Sequence, residues 1–326
     1  MKISIDIGNG YVKAINENEE KLHFPTVLKQ NNDKNILGFT QNDYSINING
    51  TGFYVGELAL AKRAARQWQS NKTVNTDTEI YVSLCSHLLT QDESPEIDTL
   101  CLGLPYSYYI ELDGGELLKK ELSGKTIRTI YKDQEKNIKI NNVSVYPQGV
   151  GSYFSNLYHI SGQPKDGAEK LIKSLFLDIG YRTVDVVAFE SINNNFELIQ
   201  ENSFSLEEFG MFQVANYIKD RLDIEFSSNE IEYALQNNNS ILETMYGEHD
   251  ISRLAQEGYI ELAKKITTEI NVKLSGEIQK YKNIFLSGGG AMNLHNQIKK
   301  TYPNIQVQED FVFGNARGYL ALENTK

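Results

Sequence analysis

Two stretches of this chain alternate apolar and polar residues on either side of a short glycine turn. In the first, Ile3, Ile5 and Ile7 share one face, Asn9-Gly10 interrupts, and Tyr11, Val12, Lys13, Ala14 and Ile15 start a second run. A period of two marks half-buried strands, and Asn-Gly between two such runs is a strong hairpin signal. In the second, Leu175-Phe176-Leu177-Asp178-Ile179 leads into Gly180, and a further strand runs over 183–189. Overlaying Asp6 on Asp178 matches strand, Asp-Ile-Gly, turn and second strand, and lands Val12 on Val184. Two α/β halves, each led by a hairpin and followed by helices, imply duplicated domains facing each other across a cleft.

The rest of the pattern fills in around the hairpins. Helices are expected at 57–68 and 79–89, a buried strand at 99–105, and two or three strands within 125–146. A glycine loop at 147–152 leads into a helix over 152–160. The second half predicts a third strand at 196–203, helices at 206–222 and 229–235, and a long helix or bent pair over 251–281. A short buried strand at 284–287 runs into Gly288-Gly289-Gly290, then come a helix over 291–300, a strand at 305–308 and a last helix over 315–323. Residues 30–55 are polar and broken by Gly38, Gly50 and Gly52, as in a small exposed subdomain or long hairpins.

Length and composition narrow the class. With 326 residues, 40% of them hydrophobic, the chain suits two domains or one bilobed one. No apolar run approaches the ~18 residues of a membrane span. The first residues alternate and include an acid, unlike a signal peptide, so a cytoplasmic location is expected. A net charge of −11 argues against direct nucleic-acid binding, which needs clustered Lys and Arg. Cys85 and Cys101, without Cys or His neighbours at metal spacing, fit reduced thiols.

The loop type decides the candidate chemistry. A dinucleotide fold joins strand to helix through its glycine loop, whereas the residues after Gly10 alternate as a strand. A hairpin tip can hold phosphate through successive backbone N–H groups, so Gly8, Asn9, Gly10 and Tyr11 form one candidate tip and Gly180, Tyr181, Arg182 and Thr183 the other. Asp6 and Asp178 just before the tips would repel phosphate unless a cation intervened, and a hydrated Mg²⁺ held through water is the natural one. Lys13 reaches a phosphate or sits solvated on its strand; Thr183 and Asp185 could line the second loop, and Arg182 departs from an all-glycine tip. Gln148 carries an amide able to orient a water for in-line attack, or is simply a turn residue. Gly288, Gly289 and Gly290 suit close packing against a flat ligand, such as adenine or ribose, or against another chain segment.

These residues resemble the actin/Hsp70/sugar-kinase superfamily, and within it the ParM/StbA-like plasmid-segregation actins. Residues 6–13 look like the first phosphate motif, 147–152 like a connection carrying the catalytic Gln148, and 178–185 like the second phosphate motif. Residues 286–291 look like the adenosine motif, and Asn315-Ala316-Arg317-Gly318-Tyr319 like the second connection. The resemblance implies an actin-like fold of two RNase-H-like domains around a cleft binding MgATP, with GTP left open. Domain I would comprise 1–147 plus 314–326, with an insert near 31–75; domain II would be 148–313, with an insert near 191–265. Lys219 and Asp220 fall in a helix similar to one that supplies ribose and adenine contacts. Catalytic roles fall to Gln148, Asp178 and Asp6, with the metal held by Asp6 and Asp178 through water.

The function implied is an ATP hydrolase that polymerises into filaments, segregating plasmid DNA through a basic adaptor bound to a centromere-like site. The alternative is a small-molecule kinase, in which an alcohol replaces water and a carboxylate, with Asp98 and Asp113 as candidates, acts as base. A chaperone is not expected, because the 326 residues leave no length for a substrate-binding domain after the final helix.

Overall fold

The computed structural model describes residues 1–31, 44–62, 64, 76–168, 171, 173–192, 195–223, 226–236, 240–244 and 247–326. Much of the expected insert at 31–75 lies outside the described residues, as do 65–68 of the helix expected at 57–68, which ends already at Ala61. The chain divides into two compact units, one of Met1–Ala168 with Val312–Lys326 and one of Glu169–Phe311.

In the first unit, β1 (Lys2–Ile7) and β2 (Tyr11–Asn16) form the expected hairpin, in which Ile7 pairs with Val12 and Asp6 with Lys13. The strands β3 (Lys21–Pro25), β4 (Leu28–Gln30), β5 (Ser45–Ile48) and β6 (Thr51–Val55) follow, then helices α1 (Glu57–Ala61) and α2 (Thr76–Leu88). Next come β7 (Glu96–Leu104), α3 (Tyr106–Glu111), α4 (Glu116–Leu122), β8 (Thr126–Tyr131), β9 (Gln134–Pro147) and α5 (Val150–Leu157). One sheet takes the order β3-β2-β1-β7-β9-β8-β5-β6-β4, with β7 parallel to both β1 and β9. Ile3 and Ile5 of β1 and Ile97 and Leu100 of β7 are fully buried, as expected of central parallel strands covered on both faces.

The C-terminal end of α2 is held in an unusual way. Lys136, buried on β9, donates from Nζ to the carbonyls of His87 (2.9 Å) and Thr90. The His87 carbonyl is among the end carbonyls that no intrahelical N–H can reach, and Thr90 lies two residues past the helix. His87 Nδ1 is hydrogen-bonded to Thr129 Oγ1 at 2.7 Å. Burial, together with the Lys136 charge, pushes His87 down from 6.5 to about 4. Cys85 and Cys101 are buried and unbridged, and burial raises both thiols.

The second unit repeats the motif. Its strands are β10 (Lys173–Ile179), β11 (Val184–Ile192), β12 (Asn195–Leu198) and β13 (Phe204–Leu206), followed by α6 (Phe212–Lys219) and α7 (Ser228–Gln236). A two-stranded ribbon of β14 (Ile241–Thr244) and β15 (Gly247–Asp250) precedes α8 (Ser252–Lys273), β16 (Asn283–Ser287), α9 (Ala291–Ile298) and β17 (Ile305–Val307). Its sheet runs β12-β11-β10-β16-β17, with β16 parallel to β10 and β17. Antiparallel hairpin, then two parallel strands, is the same core order as β2-β1-β7-β9, so the internal repeat extends beyond the hairpins. The helix expected over 206–222 starts only at Phe212, because 204–206 pairs with β11 instead. The one expected over 251–281 ends at Lys273, and Gly276 turns the chain into a single 3₁₀ turn, Glu277–Lys280.

Helix α10 (Gly314–Asn324) returns to the first unit and packs on α5. The unit therefore continues past the boundary expected at 147. A Cβ at Gly318 would lie 1.6 Å from Gly151 O, and one at Gly151 would lie 2.5 Å from Asn315 O. The two helices cross at backbone contact, which no larger side chain would allow. Tyr319 and Ala316 join Tyr146, Cys101 and Ile15 in a core of their own.

Candidate functional site

Asp6 ends β1 and is almost wholly buried. Gln148 Nε2 donates to its Oδ1 at 2.6 Å, and Lys13 Nζ lies 3.3 Å from its Oδ2. Both carboxylate oxygens are thus engaged, one by an amide and the other by a cation on the neighbouring strand. The backbone N–H of Gln148 donates to Leu104 O at 2.6 Å, so the end of β7 fixes the residue. With Nε2 given to Asp6, Oε1 is the end of the amide suited to accept a proton from water. Gly149 follows at φ 81°, a conformation that favours glycine.

The first tip is closed by Gly8 N–H donating to Tyr11 O at 3.0 Å. Thr26 anchors it twice, through Oγ1 to Gly8 O at 2.6 Å and through N–H to Gly10 O at 2.9 Å. In a planar trans peptide the N–H points opposite the C=O. Holding the carbonyls of Gly8 and Gly10 on Thr26 therefore turns the N–H groups of Asn9 and Tyr11 the other way. Such an array is an anion-binding geometry. The Tyr11 ring stacks on His23 at 4.6 Å, and His23 meets the edge of Phe313 at 6.1 Å.

The second tip reaches a similar state by another route. Gly180 N–H donates to Thr183 O at 2.9 Å. The carbonyls of Gly180, Tyr181 and Arg182 accept from the N–H groups of Met211 (3.1 Å), Phe212 (3.0 Å) and Gly210 (2.8 Å). By the same peptide geometry, the N–H groups of Tyr181, Arg182 and Thr183 point away from that anchor. A Cβ on Gly210 would lie 2.2 Å from Tyr181 O, so this approach depends on glycine. The Arg182 guanidinium lies on Glu208 Oε1 at 2.6 Å. Thr183 Oγ1 donates to Asp185 Oδ2 at 3.3 Å, and Ser205 Oγ donates to Asp185 Oδ1 at 2.5 Å. Asp185 pairs with Asp178 in register where Lys13 pairs with Asp6. The two hairpins thus differ in charge at one equivalent position.

The triple glycine packs on the end of β10. A Cβ on Gly288, at φ 81°, would lie 2.2 Å from Asp178 Oδ1. A Cβ on Gly290 would meet Ile179 Cγ2 at 2.5 Å and Met211 Sδ at 2.7 Å. These two serve contacts within the protein. Of the three, Gly289 alone is exposed, and a Cβ there would meet open space. Lys219 and Asp220 are exposed at the end of α6. Asp220 lines a groove of about 360 Å³ between α6 and α8, together with Asn216, Tyr217, Arg221, Gly258 and Lys265. Lys219, Gly288, Gly289 and Gly290 are not among the residues lining it.

Sequence reasoning missed Thr26 and 210–212, the anchors of the tips. It left Asn315 as a motif letter, and the structure supplies its chemistry: Oδ1 accepts from Gly149 N–H (2.9 Å), Ser152 N–H (3.2 Å) and Ser152 Oγ (3.2 Å). Asn315 thus caps α5 from another part of the chain. Arg317 Nη1 pairs with Glu19 Oε2 at 2.6 Å. Of the two carboxylates considered as a kinase base, Asp98 is exposed and bonded to the N-terminal amine of Met1 at 2.6 Å, and that amine lowers its pKa. Asp113 is exposed in a turn at φ 47°.

Comparison with known proteins agrees with this architecture. Residues 4–151 match the family of actin like proteins, N-terminal domain, and residues 176–300 match the archaeal actin homologue MreB-like, C-terminal family. The chain is an actin-like protein, with the actin-like α/β fold. It is 22% identical over 329 residues to an archaeal actin homolog of Thermoplasma acidophilum, covering 97% of each chain. It superposes on a subunit of a 15-stranded ParM filament from Clostridium botulinum with TM-score 0.83, at 22% identity, covering 100% of this chain and 99% of that one. An archaeal actin homolog in complex with ADP gives TM-score 0.77 at 17% identity, covering 99% of each. At these identities the solved structures establish the fold. No helix among the described residues is long and apolar enough to cross a membrane.

Proposed function

We propose that the chain is an ATP hydrolase that binds MgATP through both hairpin tips and assembles with itself into filaments. The observation that carries the reading is the Gln148–Asp6 hydrogen bond beside an anchored hairpin tip. It sets a water-orienting amide and a carboxylate beside N–H groups turned away from Thr26, which are the parts phosphoryl transfer to water requires. Asp6 and Asp178 would each hold the metal through its water shell. Among the described residues there is no cluster of three or more metal-ligating side chains, and two carboxylates acting through water suit Mg²⁺, which takes few direct protein ligands. The metal's contribution is to neutralise charge on the phosphates. Gly289 and Asp220 are the candidates for adenosine contact, and GTP remains an alternative nucleotide.

Self-assembly is supported by the fold shared with the subunits of a ParM filament. Plasmid DNA segregation through a basic, DNA-bound adaptor accords with the net charge of −11, which disfavours direct DNA contact. The kinase alternative is weakened by the exposed positions of Asp98 and Asp113. Light scattering with and without MgATP tests the reading: scattering should rise above a critical protein concentration, with phosphate release following. Flat scattering with ADP production stimulated by an alcohol would favour the kinase. Asp178→Ala should abolish hydrolysis, and near-normal turnover would remove Asp178 from the site.

A further inference from the structure

The second tip carries Tyr181 and Arg182 where the first carries Asn9 and Gly10. Arg182 turns to the exposed Glu208. Tyr181 turns inward, its hydroxyl donating to Oε1 of Glu232 while its carbonyl accepts from Phe212 N–H and its ring lies 6.1 Å from Phe212. Glu232 sits on α7, is 6% exposed, and neighbours Ile231 and Ala234, both part of the core of the second unit. A carboxylate in such surroundings is strongly disfavoured unless it accepts hydrogen bonds. The Tyr181 side chain has only two rotatable bonds before its rigid ring, so anchoring the hydroxyl restricts the backbone at the tip.

We propose that Glu232 is a positioning residue for the second phosphate tip. Through the Tyr181 hydroxyl it fixes the peptide groups of 181–183 and couples anion binding there to the order of α7. The coupling rests on the nucleotide reading above and runs both ways: phosphate that orders the tip also restrains Tyr181, Glu232 and the helix. No catalytic contact is assigned to Glu232.

Hydrogen exchange over Ser228–Gln236 and titration with a fluorescent ATP analogue test this on the full chain with Mg²⁺. Nucleotide should slow exchange in α7 of the wild type. Tyr181→Phe should lose that slowing, weaken binding roughly ten- to a hundredfold, the size of one charge-assisted hydrogen bond, and lower the melting temperature because the buried Glu232 carboxylate loses a donor. Glu232→Gln, which keeps an acceptor oxygen, should retain both responses. If Tyr181→Phe does not fold, Glu232→Leu gives the same comparison. Wild-type affinity and full α7 protection in the variant that lacks the hydrogen bond would overturn the coupling alone. Absence of nucleotide binding in the wild type would instead overturn the nucleotide reading, and the coupling with it.

Discussion

Replacing Asn315 by Ala removes one oxygen that serves three donors. The N–H groups of Gly149 and Ser152 and the Ser152 hydroxyl all end on Oδ1, and Asn315 is 5% exposed. A buried donor left without an acceptor costs about 1–3 kcal/mol, and loss of an N-cap alone about 1 kcal/mol. Some relief comes from water entering the gap, so the net loss should be about 2–4 kcal/mol. For a domain the size of the first unit, each kcal/mol shifts the melting temperature by about 2–4 °C, which puts the expected fall at roughly 4–16 °C. Asn315→Asp keeps the acceptor and adds negative charge at a helix N-terminus, so its melting temperature should lie well above that of Asn315→Ala. Circular dichroism melts of the three proteins make the comparison. If Asn315→Ala melts within about 1 °C of the wild type, the cap is not a stabilising contact and the reasoning fails.

Thr26→Val deletes the hydroxyl held by Gly8 O without changing side-chain shape, and should weaken nucleotide affinity about three- to tenfold. Thr26→Ser should restore it, and equal affinities in a nucleotide titration would refute the anchor. Gly318→Ala puts a methyl group 1.6 Å from Gly151 O, and should destabilise by about 3 kcal/mol or more, read as a large drop in the urea midpoint. His87 stays neutral down to about pH 4, while the unfolded chain takes up a proton near 6.5. Its contribution is therefore complete above 6.5 and lost as pH falls towards 4, by up to about 3 kcal/mol at ~1.4 kcal/mol per unit. Urea unfolding of His87→Asn between about pH 7 and 4.5 should show a flatter profile than the wild type; parallel profiles would exclude the histidine as the cause.

The hairpins were legible because strand alternation and a glycine turn are local signals, and Asp6 and Asp178 stood at matching places in both. Their anchors were not. Thr26 and Gly210–Phe212 act largely through backbone groups, which leave no periodic trace in side-chain polarity. The triple glycine was visible as a demand for close approach, but sequence could not say that Gly288 and Gly290 meet Asp178, Ile179 and Met211 while Gly289 faces outward. Element boundaries slipped where pairing competed with helix propensity, as at Phe204–Leu206. The segment 315–319 was readable only through family likeness. Its residue types now have separate reasons: Asn315 caps α5, Arg317 pairs with Glu19, Gly318 admits Gly151, and Tyr319 fills the space a side chain on Gly103 would need.

The return of α10 to the first unit has a consequence for synthesis. Residues 169–311 form a unit whose whole sequence emerges from the ribosome as one uninterrupted stretch. The first unit, although begun at Met1, lacks the cap of α5 and the Tyr319 core until residues 312–326 have followed. The N-terminal part must therefore wait, incompletely packed, while a domain encoded after it can already fold. Domains generally fold in the order they are made; here a segment made after the second domain closes the first.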